Sequence, residues 1–109
     1  ILTAADKGLA VTNEGDPMTV NLLHESGRIL VELGRLEDAK ARLERAAEML
    51  RDGIEDPWRR ALVDFELARV WWPSDPDKSR TLARAALDGH PTDTNDASRQ
   101  RIEDWIAEH

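Results

Sequence analysis

Histidines stand at positions 24, 90 and 109 and are the side chains best suited to proton transfer or metal binding near neutrality. No two of them stand at i, i+4, and no carboxylate completes a metal-ligand spacing around any of them. Each is therefore expected on the surface. Asp93, Asn95 and Asp104 are spaced loosely like a calcium loop. That loop needs glycine where Ser98 stands and a glutamate where Asp104 stands, so the cluster reads as a helix cap with a solvated face. No glycine-rich phosphate loop and no serine on a nucleophile elbow is present. Cysteine is absent, which removes disulfides, thiolate zinc sites and thiol nucleophiles. The residue types point away from catalysis, and neither metal nor cofactor is expected.

The 109 residues include 22 acidic and 15 basic side chains, for a net charge of -7. A chain of this sign repels phosphate backbones, so a broad nucleic-acid interface is excluded. No apolar run approaches the ~18 residues of a membrane span, and no secretory leader pattern occurs. The expected compartment is the cytoplasm. The sequence begins at Ile1 and reads as a segment of a longer protein.

Punctuation along the chain is regular. Asp16-Pro17, Asp56-Pro57 and Asp75-Pro76 each place a capping carboxylate before a proline suited to the first helical position, so each predicts a helix start. Gly34, Gly53 and Gly89 stand where helices should stop. Between them the apolar residues repeat with helical period. Val20, Leu23, Gly27 and Leu30 form one stripe, and Leu36, Ala39, Leu43, Ala46, Ala47 and Leu50 a second. Trp58, Ala61, Leu62 and Phe65 begin a third, while Val63, Leu67, Val70 and Trp71 give the same helix another apolar face. Leu82, Ala83, Ala86 and Leu87 make a fourth, and Ile102, Trp105 and Ile106 the last. Helices are predicted over 2–12, 17–33, 36–52, 57–72, 76–89 and 94–108, with no sheet. Trp71 is expected in the core, Trp105 as the seal of the last hairpin, and Trp58 as a staple for the preceding linker.

The pattern repeats. Asp16 to Asp56, Ala39 to Ser79 and Ala46 to Ala86 are steps of 40; Gly27 to Ala68 and Arg28 to Arg69 are steps of 41. A helix pair recurring at this period implies stacked hairpins, because one hairpin cannot cover its own apolar face. Residues 23–39 (LHESGRILVELGRLEDA) carry small residues at Gly27 and Ala39 and a turn glycine at Gly34, followed by Leu43 and the small Ala46. In this the chain resembles the tetratricopeptide repeat family, in a long-period style like that of kinesin light chains. The second copy departs from the pattern: Ala68 replaces the first small glycine, Asp75-Pro76 the turn glycine and Ala83 the large Leu43. Residues 65–105 are loosely similar to repeat regions attached to bacterial Ser/Thr protein kinases.

The resemblance implies an all-α, right-handed superhelical array of antiparallel hairpins in a single domain, 1–109. Residues 1–12 would close a preceding repeat, 16–53 and 56–91 would form two repeats, and 94–109 a capping helix. It also implies a concave groove lined by the first helix of each pair. By position, that groove would present Asn21, His24, Arg28 and Val31 from the first copy and Phe65, Arg69 and Trp72 from the second. Paired guanidinium forks suit a partner carrying acidic groups, and the two aromatic side chains suit an apolar residue beside it. The alternative is local: Arg28 and Arg69 pair with Glu25, Glu32 or Glu66 on neighbouring turns, Phe65 is core, and Trp72 packs under the Pro73 turn. The expected function is non-catalytic binding of a peptide or protein. The alternatives are a structural or self-association segment, with homodimerisation through the N-terminal helix, and a sensor for a small molecule.

Overall fold

The computed structural model describes residues 17–52, 56–91 and 97–109. Over these the chain is all-α, with five helices: α1 (Pro17–Glu32), α2 (Leu36–Arg51), α3 (Pro57–Trp71), α4 (Pro76–Gly89) and α5 (Ser98–Glu108). They pack as sequential antiparallel pairs, α1 with α2 and α3 with α4, and α5 docks on α4 over a smaller area. The chain divides into two units, Ile1–Glu55 and Asp56–His109. The expected helix at 2–12, the Asp16 cap, Gly53 and residues 94–96 of the expected last helix lie outside the described residues. Among the described residues no helix is long and apolar enough to cross a membrane.

Chemistry at the helix ends accounts for the boundaries. The Asp56 carboxylate accepts from the Arg59 amide at 2.9 Å, and the Asp75 carboxylate from the Lys78 amide at 3.1 Å, each directly ahead of a proline in the first turn. α1 ends at a glycine in the left-handed region, Gly34 at φ 76°. The Gly34 amide donates to the Val31 carbonyl (3.0 Å) and the Arg35 amide reaches back to the Leu30 carbonyl (2.9 Å). This pair of bonds satisfies the last carbonyls of α1 and reverses the chain within three residues.

In the first unit Val20, Leu23 and Leu30 from α1 are buried with Ala39, Leu43, Ala46, Ala47, Met49 and Leu50 from α2. The helices meet closely at Gly27. A Cβ there would lie 2.7 Å from Leu43 Cγ and 2.8 Å from its Cδ2, well inside contact distance. Leu43 is itself fully buried. The isobutyl group therefore occupies the room that glycine leaves open.

The second unit makes the corresponding approach with different residues. Ala68 and Ala83 are both fully buried, with alanine at each of the positions that correspond to Gly27 and Leu43. The fully buried Ser79 donates its hydroxyl to the Ala68 carbonyl, linking α4 to α3. α3 buries Ala61, Leu62 and Phe65 as well as Val63, Leu67 and Val70, so both of its apolar stripes are covered. Its neighbour α5 is fixed by a second core cluster. Phe65, Ala86 and Ile102 pack together, and Leu87, Trp105 and Ile106 close around them.

Candidate functional site

Asn21, His24 and Arg28 follow i, i+3, i+7 along α1 and so share one face of it. Asn21 is half-buried, and His24 is only 3% exposed, which corrects its expected place on the surface. The Arg28 guanidinium is exposed and pairs with the Glu25 carboxylate at 3.1 Å. Val31 is half-buried. Phe65, Arg69 and Trp72 share a face of α3 and its C-terminal turn in the same way. Arg69 pairs with Glu66 at 3.0 Å, and the Glu66 side chain is almost completely buried. These are the local pairings that an i, i+3 spacing favours on any helix.

Phe65 and Trp72 were expected to offer flat apolar area to a peptide, and their surroundings give that area to α5. Phe65 is 6% exposed and meets the Trp105 ring edge to face, with centroids 6.1 Å apart. Trp72 is half-buried and makes a similar contact with Trp105 at 5.8 Å and with the His109 imidazole at 4.8 Å. His109 stacks on Trp105 at 4.0 Å with an interplanar angle of 14°. Its Nδ1–H donates to the Trp105 carbonyl at 2.7 Å, since a carbonyl can only accept. Edge-to-face pairs each add roughly 0.5–1.5 kcal/mol beyond the area they bury. Trp72 thus packs against α5, and His109 is half-buried against an indole and not free on the surface.

The other tryptophans occupy shallower places. Trp71, expected in the core, is half-buried with the Lys78 ammonium 3.9 Å from its ring centroid. Trp58 is half-buried under the Arg59 guanidinium. The linker it was expected to staple lies outside the described residues. Trp105 packs on the Phe65–Ala86–Ile102 cluster, sealing α5 onto the second hairpin.

Two features of this unit escaped the sequence. The first is a buried couple at the α4–α5 junction. His90 is 3% exposed, which corrects its expected surface position. Nδ1 lies 2.7 Å from the Pro91 carbonyl oxygen and must carry the proton, so in the neutral ring Nε2 accepts from Ser98 Oγ at 2.6 Å. That is the bond order of a serine activated by a histidine. Both side chains are too deeply buried to meet a substrate, however, with Ser98 only 4% exposed. The Arg99 guanidinium donates to the Leu87 and His90 carbonyls at 3.1 and 3.3 Å, capping the end of α4. The couple and the clamp together hold α5 in place. No signal in the sequence joins His90 to Ser98 across the intervening loop.

The second feature is a pocket of about 160 Å³, lined from α4 by Arg80 and Arg84 and from the α5 end by Trp105, Ile106 and His109. Arg80 donates through Nε to the His109 carbonyl at 3.2 Å and through Nη1 to the Asp77 carboxylate at 3.4 Å. Its guanidinium carbon lies 5.1 Å from the Trp72 ring centroid. The i, i+4 spacing of Arg80 and Arg84 was visible in the sequence, but on its own it reads only as a solvated helix face. Among the described residues no group of three or more histidines and carboxylates could hold a metal ion. Compared with known protein-family models, with curated proteins and with solved structures, the chain matches none of them.

Proposed function

We propose that this chain is a non-catalytic, tetratricopeptide-like interaction module of the cytoplasm, whose first helices bind a peptide or protein segment bearing acidic groups. The observation that carries the reading is the recurrence of one close helix crossing in both hairpins. Gly27 against Leu43 in the first and Ala68 against Ser79 in the second lie on the facing sides of their pairs, and Gly27 and Ala68 stand at corresponding places. Small residues kept at a fixed period belong to chains that stack hairpins, and such arrays serve chiefly as binding surfaces. Each hairpin also carries one guanidinium at the corresponding point of its first helix, Arg28 and Arg69. Each already holds a carboxylate one turn away, Glu25 and Glu66, which is the chemistry a guanidinium fork would offer an acidic partner.

The test is selection of acidic peptides from a display library on the full chain, followed by Arg28→Glu with Arg69→Glu. Loss of binding with an unchanged melting curve supports the proposal. Selected peptides that bind the double variant equally well overturn it.

A second reading, self-association, is favoured by one specific feature. Met18 and Ile29 of α1 and Leu33 in the turn that follows it are 59%, 45% and 64% exposed, and their spacing puts them on one side of the helix axis. Apolar side chains gathered on one exposed helix face mark association surfaces. Sedimentation of the native chain and of Ile29→Asp with Leu33→Asp decides it. A dimer that dissociates in the variant supports homodimerisation, and a native monomer excludes it.

A further inference from the structure

We propose that the pocket between Arg80, Arg84, Trp105, Ile106 and His109 is a binding site for a carboxylate carried on a single ring-sized apolar group. Its residues are separate from the Arg28 and Arg69 faces, so it stands or falls on its own.

Size sets the first limit. At about 160 Å³ the pocket matches a cavity that admits one benzene ring and is well below the ~300 Å³ at which drug-sized sites begin. Lining chemistry sets the second. Trp105 and Ile106 supply an apolar wall, and the His109 ring stacked on Trp105 extends its flat surface. Arg80 and Arg84, one helical turn apart on α4, line the same pocket, and two guanidinium groups suit the oxygens of a planar anion.

Donor capacity is available on both arginines. Arg84 makes no hydrogen bond or ion pair among the described residues. Arg80 uses Nε and Nη1, and its nearby anion is weakly held: Asp77 is 99% exposed at 3.4 Å, and such surface pairs bind little. Backbone and ring contacts position Arg80. Its Nε bond to the His109 main-chain oxygen and its place beside Trp72 hold the fork against the pocket lining. A neutral ring would leave these donors to water, and a bare inorganic anion would leave the indole wall unused. The pocket therefore selects the combination.

Two sources present that chemistry: a free aromatic acid, or the carboxyl end of a peptide whose last residue is aromatic. The experiment titrates the full chain with benzoate, and separately with a hexapeptide ending in phenylalanine and its C-terminal amide. The readouts are the Trp105 indole and Ile106 methyl resonances, with the Trp58 indole as an internal control. A saturable shift with benzoate assigns the free acid. A shift only with the peptide acid, absent with its amide, assigns the peptide terminus, and either result supports the site. Arg84→Gln should weaken binding about tenfold or more while the melting temperature and Trp58 resonance stay in place. Arg35→Gln, at an exposed side chain of the first unit, should leave the response to every probe unchanged. Equal response to benzamide and benzoate, equal competition by inorganic phosphate, indifference to Arg84→Gln, or no saturable shift with any probe overturns the proposal.

Discussion

Replacing Gly27 with alanine sets two effects of opposite sign against each other. Glycine inside a helix is less favourable than alanine by up to about 1 kcal/mol, so on propensity alone the change would stabilise α1. The structure puts an obstacle in the way. The added methyl would sit 2.7 Å from Leu43 Cγ and 2.8 Å from Cδ2, against an ordinary carbon contact of about 3.5–4.0 Å. Leu43 is fully buried and its branch carbon Cγ is one of the obstructing atoms, so we place the strain in the upper part of the ~1–3 kcal/mol range for overpacked cores. The net expectation is a loss of about 1–2 kcal/mol. In a Leu43→Ala background the obstructing atoms are gone, and the same Gly27→Ala change should stabilise by about 0.5–1 kcal/mol. The coupling between the two sites is then about 1.5–3 kcal/mol.

Leu43→Ala alone is expected to cost about 2–5 kcal/mol, so all four proteins of the cycle are compared in sulfate, which strengthens apolar burial. Urea unfolding followed by far-ultraviolet circular dichroism reads the cycle. Trp58, Trp71, Trp72 and Trp105 all lie in the second unit, so fluorescence would follow that unit instead. Effects of Gly27→Ala that agree within about 0.5 kcal/mol in the two backgrounds would refute the close-packing account of the first hairpin.

Other perturbations follow from the same geometry. Asp56→Ala and Asp75→Ala each remove a carboxylate from an amide it caps and should each cost about 1 kcal/mol, seen as a lower melting temperature. Ala83→Leu should destabilise the second hairpin by about 1–3 kcal/mol in urea titrations, because the room that Gly27 leaves for Leu43 is here taken by the Ala68 methyl. Ser98→Ala removes the hydroxyl that His90 holds and should cost about 1–3 kcal/mol, with faster amide exchange in α5 and a shifted Trp105 emission. Arg28→Ala removes an exposed ion pair and should change stability by less than about 1 kcal/mol, which makes it a clean probe for binding assays.

Where the helices begin and end was written in residues with one physical meaning. An aspartate before a proline can cap and start a helix, and the structure begins α3 and α4 at Pro57 and Pro76 for that reason. Gly34 takes a left-handed φ that side chains resist, so α1 had to stop there. The small residues at 27, 39, 46, 68, 79 and 86 were legible as contact points, and each is buried.

Burial of polar groups was not legible. His24 and His90 lie inside because neighbouring side chains and carbonyls were assembled around them by tertiary packing, and single-chain spacing carries no trace of that. The α3 face bearing Phe65 and Trp72 failed to declare itself for a related reason. With apolar residues on two sides, α3 has no preferred outside, and its pattern does not say that α5 lies over one of them. Arginines 80 and 84 looked like solvated surface because a pocket becomes visible only when Trp105 and Ile106 arrive from another helix.

The unequal sharing of volume at the two helix crossings limits how this molecule can be rearranged. A chimera that joined α3 to α2 would drive a leucine into a methyl, and one that joined α1 to α4 would leave a hollow between glycine and alanine. Helices here can be exchanged only as matched partners, so neither hairpin supplies spare parts for the other, however alike their spacing makes them look.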